Sequence, residues 1–527
     1  MFGRIEPRPQ TLNALAVPQQ HMTTAADSIF TNVDGHTLTE PDETFEAVAV
    51  RDGRIVRVGR ASEVAFLEGV ETDVVDLDGA TLLPGFIDAH THMDILGRRT
   101  VEADLADVTR PEEAVDVLAA HAATDDWILG FGYDESTWEE SRYLTRADLD
   151  RVSEERPVAA FREDLHVVSV NSAVLDRYAG DFPVDDIRTA DGEPTGVLVE
   201  DAVGVITDAI APDAETTREY LLAAQSVALE RGVTGVHDMI RNPHVPGIYR
   251  DLDLDGDLNI RVRLNYWSDF LESAAEAGLR TNHGSDRVRT GAIKTYTDGS
   301  IGGRTAKLST PYADTDDDGT WVVDPAELHE LADRVDDADL QMTTHAIGDE
   351  AIEATLDTYE GIGSERHRIE HAEVLTDGLI ERLGESCVVV SAQPNFHRWA
   401  REGGLYDTAL GVERRKRTNQ FGALREAGAR LAFGSDCMPL DPLYGIERAV
   451  TAPEQSQRLP VTDALRAYTL GSAYAGFDEE RLGTIEAGKR ADFVALEESP
   501  WEVQANEIGD LEVRMTVVDG EITVRNG

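Results

Sequence analysis

The spacing of hydrophobic and polar positions changes twice along this chain. From residue 28 to 82 it is short and strand-like, in "SIFTNVDG", "FEAVAVRDGRIVRVG" and "VVDLDGATLLPG". The "RDG" between two valine-rich runs is a hairpin signal. The C-terminal end has the same texture, in "GKRADFVALEESP" and "VRMTVVDGEITVRNG", again with a "DG" turn. Two β-rich ends around a long middle predict one small β-sandwich domain, built from residues 28–82 together with 482–527.

The middle alternates helix-like and strand-like stretches, the mark of βα units on a parallel sheet. "ETTREYLLAAQSVALERG" places Leu221, Ala224 and Ala228 on one face, with Gly232 as the stop. Strand candidates follow in "VTGVHDM", "IRVRLNYW", "AIKTYTDG", "MTTHAIGD", "RIEHAE", "VVVSAQPN" and "LAFGSDC". With "LLPGFIDAHTH" they make eight, the number that closes an α/β (β/α)8 TIM barrel. The barrel is expected over residues 83–481. The stretch from about 97 to 214 is too long for one helix and holds an extra strand candidate, "RPVAAF", so it reads as an insertion after the first barrel strand. Residues 1–27 read as a disordered extension, with Met22 as an alternative translation start.

Composition narrows the function. The 527 residues carry 101 acidic against 48 basic side chains, a formal charge of −53. That balance argues against nucleic acid, whose phosphates need clustered positive charge. Only four basic residues are lysine: Lys294, Lys307, Lys416 and Lys489. An acidic, lysine-poor surface resembles proteins of salt-loving archaea, in which concentrated salt screens self-repulsion. No run approaches a membrane span of roughly 18 apolar residues. Cys387 and Cys437 both fall in apolar, strand-like runs and make no disulfide framework, so a reduced cytoplasm is the simplest compartment. The acidic loops "DTDDDG" and "DLDLDG" begin like calcium loops but carry Pro325 and Val262 where the bidentate acid belongs.

Candidate chemistry lies at the strand ends. His90 and His92, two residues apart, share one face of the first barrel strand at its C-terminal end, the end where barrel chemistry occurs. A His-x-His pair alone is weak evidence in a chain with 14 histidines. Yet His345, His371 and Asp436 close other strand candidates in the same manner, and Lys294 lies within "AIKTYTDG". Separate polar networks would have to explain each; one metal centre explains all. A salt bridge from Lys294 to Asp298 is the plainer alternative. The glycine-rich "DGSIGGRTA" lacks the lysine and spacing of a Walker loop and reads as a mouth loop. Trp138, Trp267, Phe396 and Trp399 are candidate pocket aromatics.

These endings sit in stretches that resemble a known family. "LLPGFIDAHTHMD", "WILGFGYDESTW", "GVTGVHDM", "IKTYTDGSIGGRTA", "THAIGDEA", "RIEHAEVL", "FGSDCMPLDPL" and "GTIEAGKRADFVAL" are similar to the metal-dependent amidohydrolase superfamily. The nearest branch is amidohydrolase family 3, the YtcJ-like proteins and N-substituted formamide deformylases, and the likeness runs from about residue 29 to 525. It implies two divalent metal ions, zinc by expectation. His90, His92 and Asp436 would hold one, His345 and His371 the other, and Lys294 would bridge them as N6-carboxylysine. It further implies hydrolysis of a non-peptide carbon–nitrogen bond in a small amide or N-substituted formamide by a metal-bridging hydroxide, with Asp436 as the catalytic proton shuttle. His166, His237, Asp238 and Asp298 are substrate contacts or residues that orient ligands; the "DLH" around His166 departs from the family's "DGH". Two other readings stay open, a mononuclear heterocycle deaminase and a catalytically silent binding protein on the same scaffold. The expected partner is a small-molecule amide, with no nucleic acid and no membrane, and a homodimer is the candidate assembly.

Overall fold

The structure is a computed structural model that describes residues 25–121, 126–135, 138–163, 167–362 and 366–526. At its centre stand eight parallel strands: β1 (Phe86–Thr91), β2 (Val233–Ile240), β3 (Arg261–Trp267), β4 (Val288–Tyr296), β5 (Gln341–Ala346), β6 (Arg368–His371), β7 (Val389–Ala392) and β8 (Arg430–Phe433). Each pairs with the next in chain order. All eight are the strands that the apolar runs predict. The seam between β8 and β1 closes through loop atoms: the Asp436 N–H donates to the His90 carbonyl at 2.7 Å. The buried Asp88 carboxylate spans the same seam, accepting from the N–H groups of His90 and Ser435, each at 3.0 Å.

The helix Ala214–Glu230 packs on Met93–Val101 outside the barrel and buries Leu221, Ala224 and Ala228, as their spacing predicts. Gly232 follows it at φ +74°, a left-handed turn that leads directly into β2. The barrel interior is unusual. Arg368 and Glu370 of β6, both fully buried, stand where barrels commonly stack branched apolar side chains.

The terminal strands pair into one eight-stranded sheet, in which Thr81–Pro84 from the N-terminal part lies against Phe493–Leu496 from the C-terminal part. Both predicted "DG" turns form. Asp52 and Gly53, like Asp519 and Gly520, have positive φ and join antiparallel strands through two residues. Ala26 is buried and its N–H donates to the Leu67 carbonyl at 2.9 Å, so the sheet domain takes in residues from the stretch expected as an extension. Residues 1–24 lie outside the described residues.

The region after Met93–Val101 is more than the single extra strand that its sequence suggests. Six strands between Ala103 and Val199 form their own sheet over two apolar clusters. Most are short, and Ile128–Tyr133 is interrupted by two glycines, which weakens any alternation signal. In the two acidic loops, Asp314 and Asp318 pair with Arg304 and Lys307, and Asp251–Asp255 is the end of a helix. Cys387 is exposed and precedes β7 instead of lying within it, whereas Cys437 is buried. Among the described residues no helix is long and apolar enough to cross a membrane.

Candidate metal centre

A cleft of about 240 Å³ opens at the C-terminal ends of the barrel strands. His90, His92, Lys294, His345, His371 and Asp436 all line it, so the structure brings all six predicted donors to one place. Three are tightest: one donor atom each from His90, His371 and Asp436 lie within 4.8 Å of one another. His92 Nε2 is 3.2 Å from Asp436 Oδ1, and the His345 and His371 rings are 4.4 Å apart.

Local backbone aims these groups. His371 ends β6 at φ +73°, and Asp436 follows β8 at φ +53°. Both are left-handed conformations that L-residues seldom adopt, and such strain collects at functional sites. Behind the imidazoles stand acceptors. The Nδ1–H of His90 donates to Glu370 Oε2 at 2.6 Å, the Nδ1–H of His92 to the Met239 carbonyl at 3.1 Å, and the Nε2–H of His345 to the Gly299 carbonyl at 2.9 Å. Each bond fixes a tautomer and leaves the other ring nitrogen as a lone pair, the arrangement found around metal-bound histidines.

Electrostatics point the same way. Burial depresses the His90 and His371 pKa values, with further depression from Lys294 on His90 and from His345 and His90 on His371. Burial and Lys294 bring His345 to about 3. All three are therefore neutral, as ligands must be. Burial raises Asp436, but its neighbours His92, His90 and Lys294 outweigh burial and hold the carboxyl at about 2. Lys294 is lowered to about 8, first by burial and then by Arg368 and Arg241, against Glu370 and Asp436.

The remaining candidates fall elsewhere. Asp298 makes no salt bridge with Lys294. It accepts the N–H groups of Lys307, Ile347 and Gly348 at 2.8, 3.1 and 2.8 Å and lies 3.5 Å from His345 Nε2. Asp238 accepts from the Met93 N–H and the Tyr249 hydroxyl, both at 3.0 Å, and thus anchors the turn after His92. His237 does not line the cleft; its Nδ1 is 2.9 Å from Arg368 Nη1 in the barrel interior. His166 lies outside the described residues. Trp267 lines the cleft, and Phe396 stacks on His371 at 5.9 Å and meets Trp399 at a tilt, with ring centroids 4.7 Å apart. Trp138 is buried instead in the insertion, where its indole N–H donates to the Val108 carbonyl at 2.8 Å.

Glu370 and Asp88 escaped the sequence reading. Glu370 is gripped by Arg368, at 2.8 Å, and by Thr343, and passes that rigidity to His90. Its only sequence signal is a charge in the short "RIEH" of β6, two residues after another charge. The donor set fits a metal. Lys294 Nζ and His371 Nδ1 are buried without a partner among the described residues, a costly state that a bound ion would relieve. Neutral imidazoles with carboxylates suit zinc and related divalent ions.

Residues 73–524 match the amidohydrolase family. The putative amidohydrolase YtcJ of Bacillus subtilis is 33% identical, over 92% of this chain and 97% of its own. The N-substituted formamide deformylase of Arthrobacter pascens is 27% identical, over 95% of this chain and 98% of its own. An uncharacterized metal-dependent hydrolase from Pyrococcus furiosus, known from a crystal structure, superposes with a TM-score of 0.79 at 29% identity, covering 90% of this chain and all of that one. With its eight-stranded barrel and its six convergent donors, the chain belongs to the amidohydrolase family of metal-dependent hydrolases.

Proposed function

We propose that this protein hydrolyses the carbon–nitrogen bond of a small amide or N-substituted formamide. The observation that carries the reading is the convergence of His90, His371 and Asp436 beside an unpartnered, buried Lys294. The likeness to a formamide deformylase over nearly the whole chain supports the substrate class.

His90, His92, His345, His371 and Asp436 would hold two divalent ions, zinc by their chemistry, with Lys294 as a carboxylated bridge. Bound there, such ions would acidify water and polarise a carbonyl. Lys294 suits its role because burial favours the neutral amine that carbon dioxide requires. Carboxylation then replaces a costly buried cation with an anionic oxygen donor. Asp436 is the carboxylate beside the reacting centre, its Oδ1 3.2 Å from His92 Nε2 and 3.6 Å from His90 Nε2. It takes the proton of the attacking water and delivers it to the nitrogen that departs as amine. Phe396 stacks on the His371 ring and backs that imidazole with an apolar surface.

A screen of N-formyl, N-acyl and cyclic amides in concentrated salt, with His90→Ala as the control, tests this reading. Elemental analysis counts the ions, and the carbon-13 resonance of a carbamate grown from labelled bicarbonate reports Lys294. Fewer than one ion per chain in active protein would refute the metal centre. The tight triad of His90, His371 and Asp436 also suits one ion, which is the deaminase arrangement. One ion per chain with no carbamate signal would select it.

A further inference from the structure

One cleft residue belongs to neither the donors nor their supports. Arg241 directly follows β2, and its guanidinium carbon lies 3.9 Å from the centroid of the Trp267 ring and 5.9 Å from that of Tyr296. The two rings are themselves 5.6 Å apart. Trp267 ends β3 in register with Lys294, and Tyr296 ends β4 in register with His345. The aromatic shelf is thus built into the strand ends next to the donors. Contact at 3.9 Å sets the guanidinium over the indole face and limits its motion, while its edge N–H groups stay available.

Arg241 has no carboxylate within ion-pair distance among the described residues, although acidic side chains outnumber basic ones by 101 to 48. The two cleft carboxylates are engaged elsewhere, Asp298 by backbone N–H groups and Asp436 by His90 and His92. A planar fork held in place at the rim is a receptor for a planar anion.

We infer that Arg241, on the shelf of Trp267 and Tyr296, binds a carboxylate of the substrate, which is an N-formyl or short N-acyl amino acid. The inference rests on the amide-hydrolysis reading above and deepens it. A formyl group has no room for a carboxylate, so the acid sits on the amine half. That half points toward β2–β4 and leaves the acyl carbon at His90, His371 and Asp436.

The test compares N-formylglycine with N-formylglycinamide in wild type, Arg241→Met and Arg241→Lys at one fixed salt concentration. Wild type is expected to prefer the acid by about 10-fold or more in kcat/KM, and Arg241→Met to bring that ratio toward one, chiefly through KM. Arg241→Lys keeps the charge without the fork and falls between. A wild-type ratio near one, or a methionine variant that loses both substrates alike, overturns the inference. If neither compound is hydrolysed, the amide reading fails for them, and calorimetry with N-benzoylglycine decides the carboxylate site separately. Binding about 10-fold weaker in Arg241→Met supports it, and equal binding overturns it.

Discussion

At the scale of single residues, the quality of the centre depends on groups that touch no substrate. Glu370 holds His90 as carbonyls hold His92 and His345, but as a charged acceptor locked by Arg368. Glu370→Gln weakens that grip while preserving shape, and metal affinity is expected to fall about 10- to 100-fold in chelator competition. Unchanged affinity would mean that His90 is oriented by packing alone. Lys294 gives a prediction with a sign. Folding lowers its pKa from 10.5 to about 8. Between these values the unfolded chain binds more protons, so stability rises with pH; below the folded value the penalty is fully present. Lys294→Met should therefore stabilise the metal-free protein by roughly 1–3 kcal/mol near pH 7, and by less near pH 9.5, in denaturant titrations. The same variant in the presence of zinc should bind less metal and lose activity. The six candidate donors were legible in the chain because each is a polar side chain near the mouth end of a strand. Glu370 and Arg241 were not, since their roles exist only through partners on other strands, His90 in one case and Trp267 and Tyr296 in the other.

At the scale of elements, the seam between β8 and β1 joins fold to chemistry. Gly434 lies so close to β1 that a Cβ there would stand 2.3 Å from the His90 nitrogen and 2.9 Å from Asp88 Oδ1. Gly434→Ala has to push the strands apart at the point where Asp88 ties them. A loss of about 1–3 kcal/mol in a urea titration is expected, with a matching loss of zinc affinity because His90 moves with the seam. Loss of stability with full metal affinity would separate the seam from the site. The eight barrel strands were readable because strands buried on both faces are continuous apolar runs. The six-stranded insertion was not, because its short strands, one of them broken by glycines, carry little period of their own and owe their existence to pairing with one another.

At the scale of the molecule, charge and architecture meet. A net charge of −53 sets the surface against itself, and salt relieves this. We expect the unfolding temperature to climb steadily between about 0.1 and 2 M KCl as the screening length shrinks. A falling midpoint would refute adaptation to salt. One tie between barrel and terminal sheet should resist that screening. Arg261 of β3 donates to Asp492 at 2.6 and 2.9 Å, with both side chains buried, and reaches Asp519 as well. Arg261→Met leaves Asp492 charged and buried, at a cost of roughly 3–5 kcal/mol that should persist in high salt. Denaturation of wild type and variant at low and high KCl reads both effects.

By itself the sequence determined the barrel and the composite sheet from the two ends, because these follow from local pattern, apolar runs and turn pairs; it offered six candidate donors at strand ends, and the family was legible through the likeness of whole stretches. Tertiary structure alone decided which donors meet. His90 and Glu370 lie 280 positions apart, and neither periodicity nor composition records their 2.6 Å contact. The same holds for the contact of His237 with Arg368, the seam carboxylate of Asp88 and the aromatic shelf beneath Arg241. Each is a relation between strands, fixed only when the barrel closes.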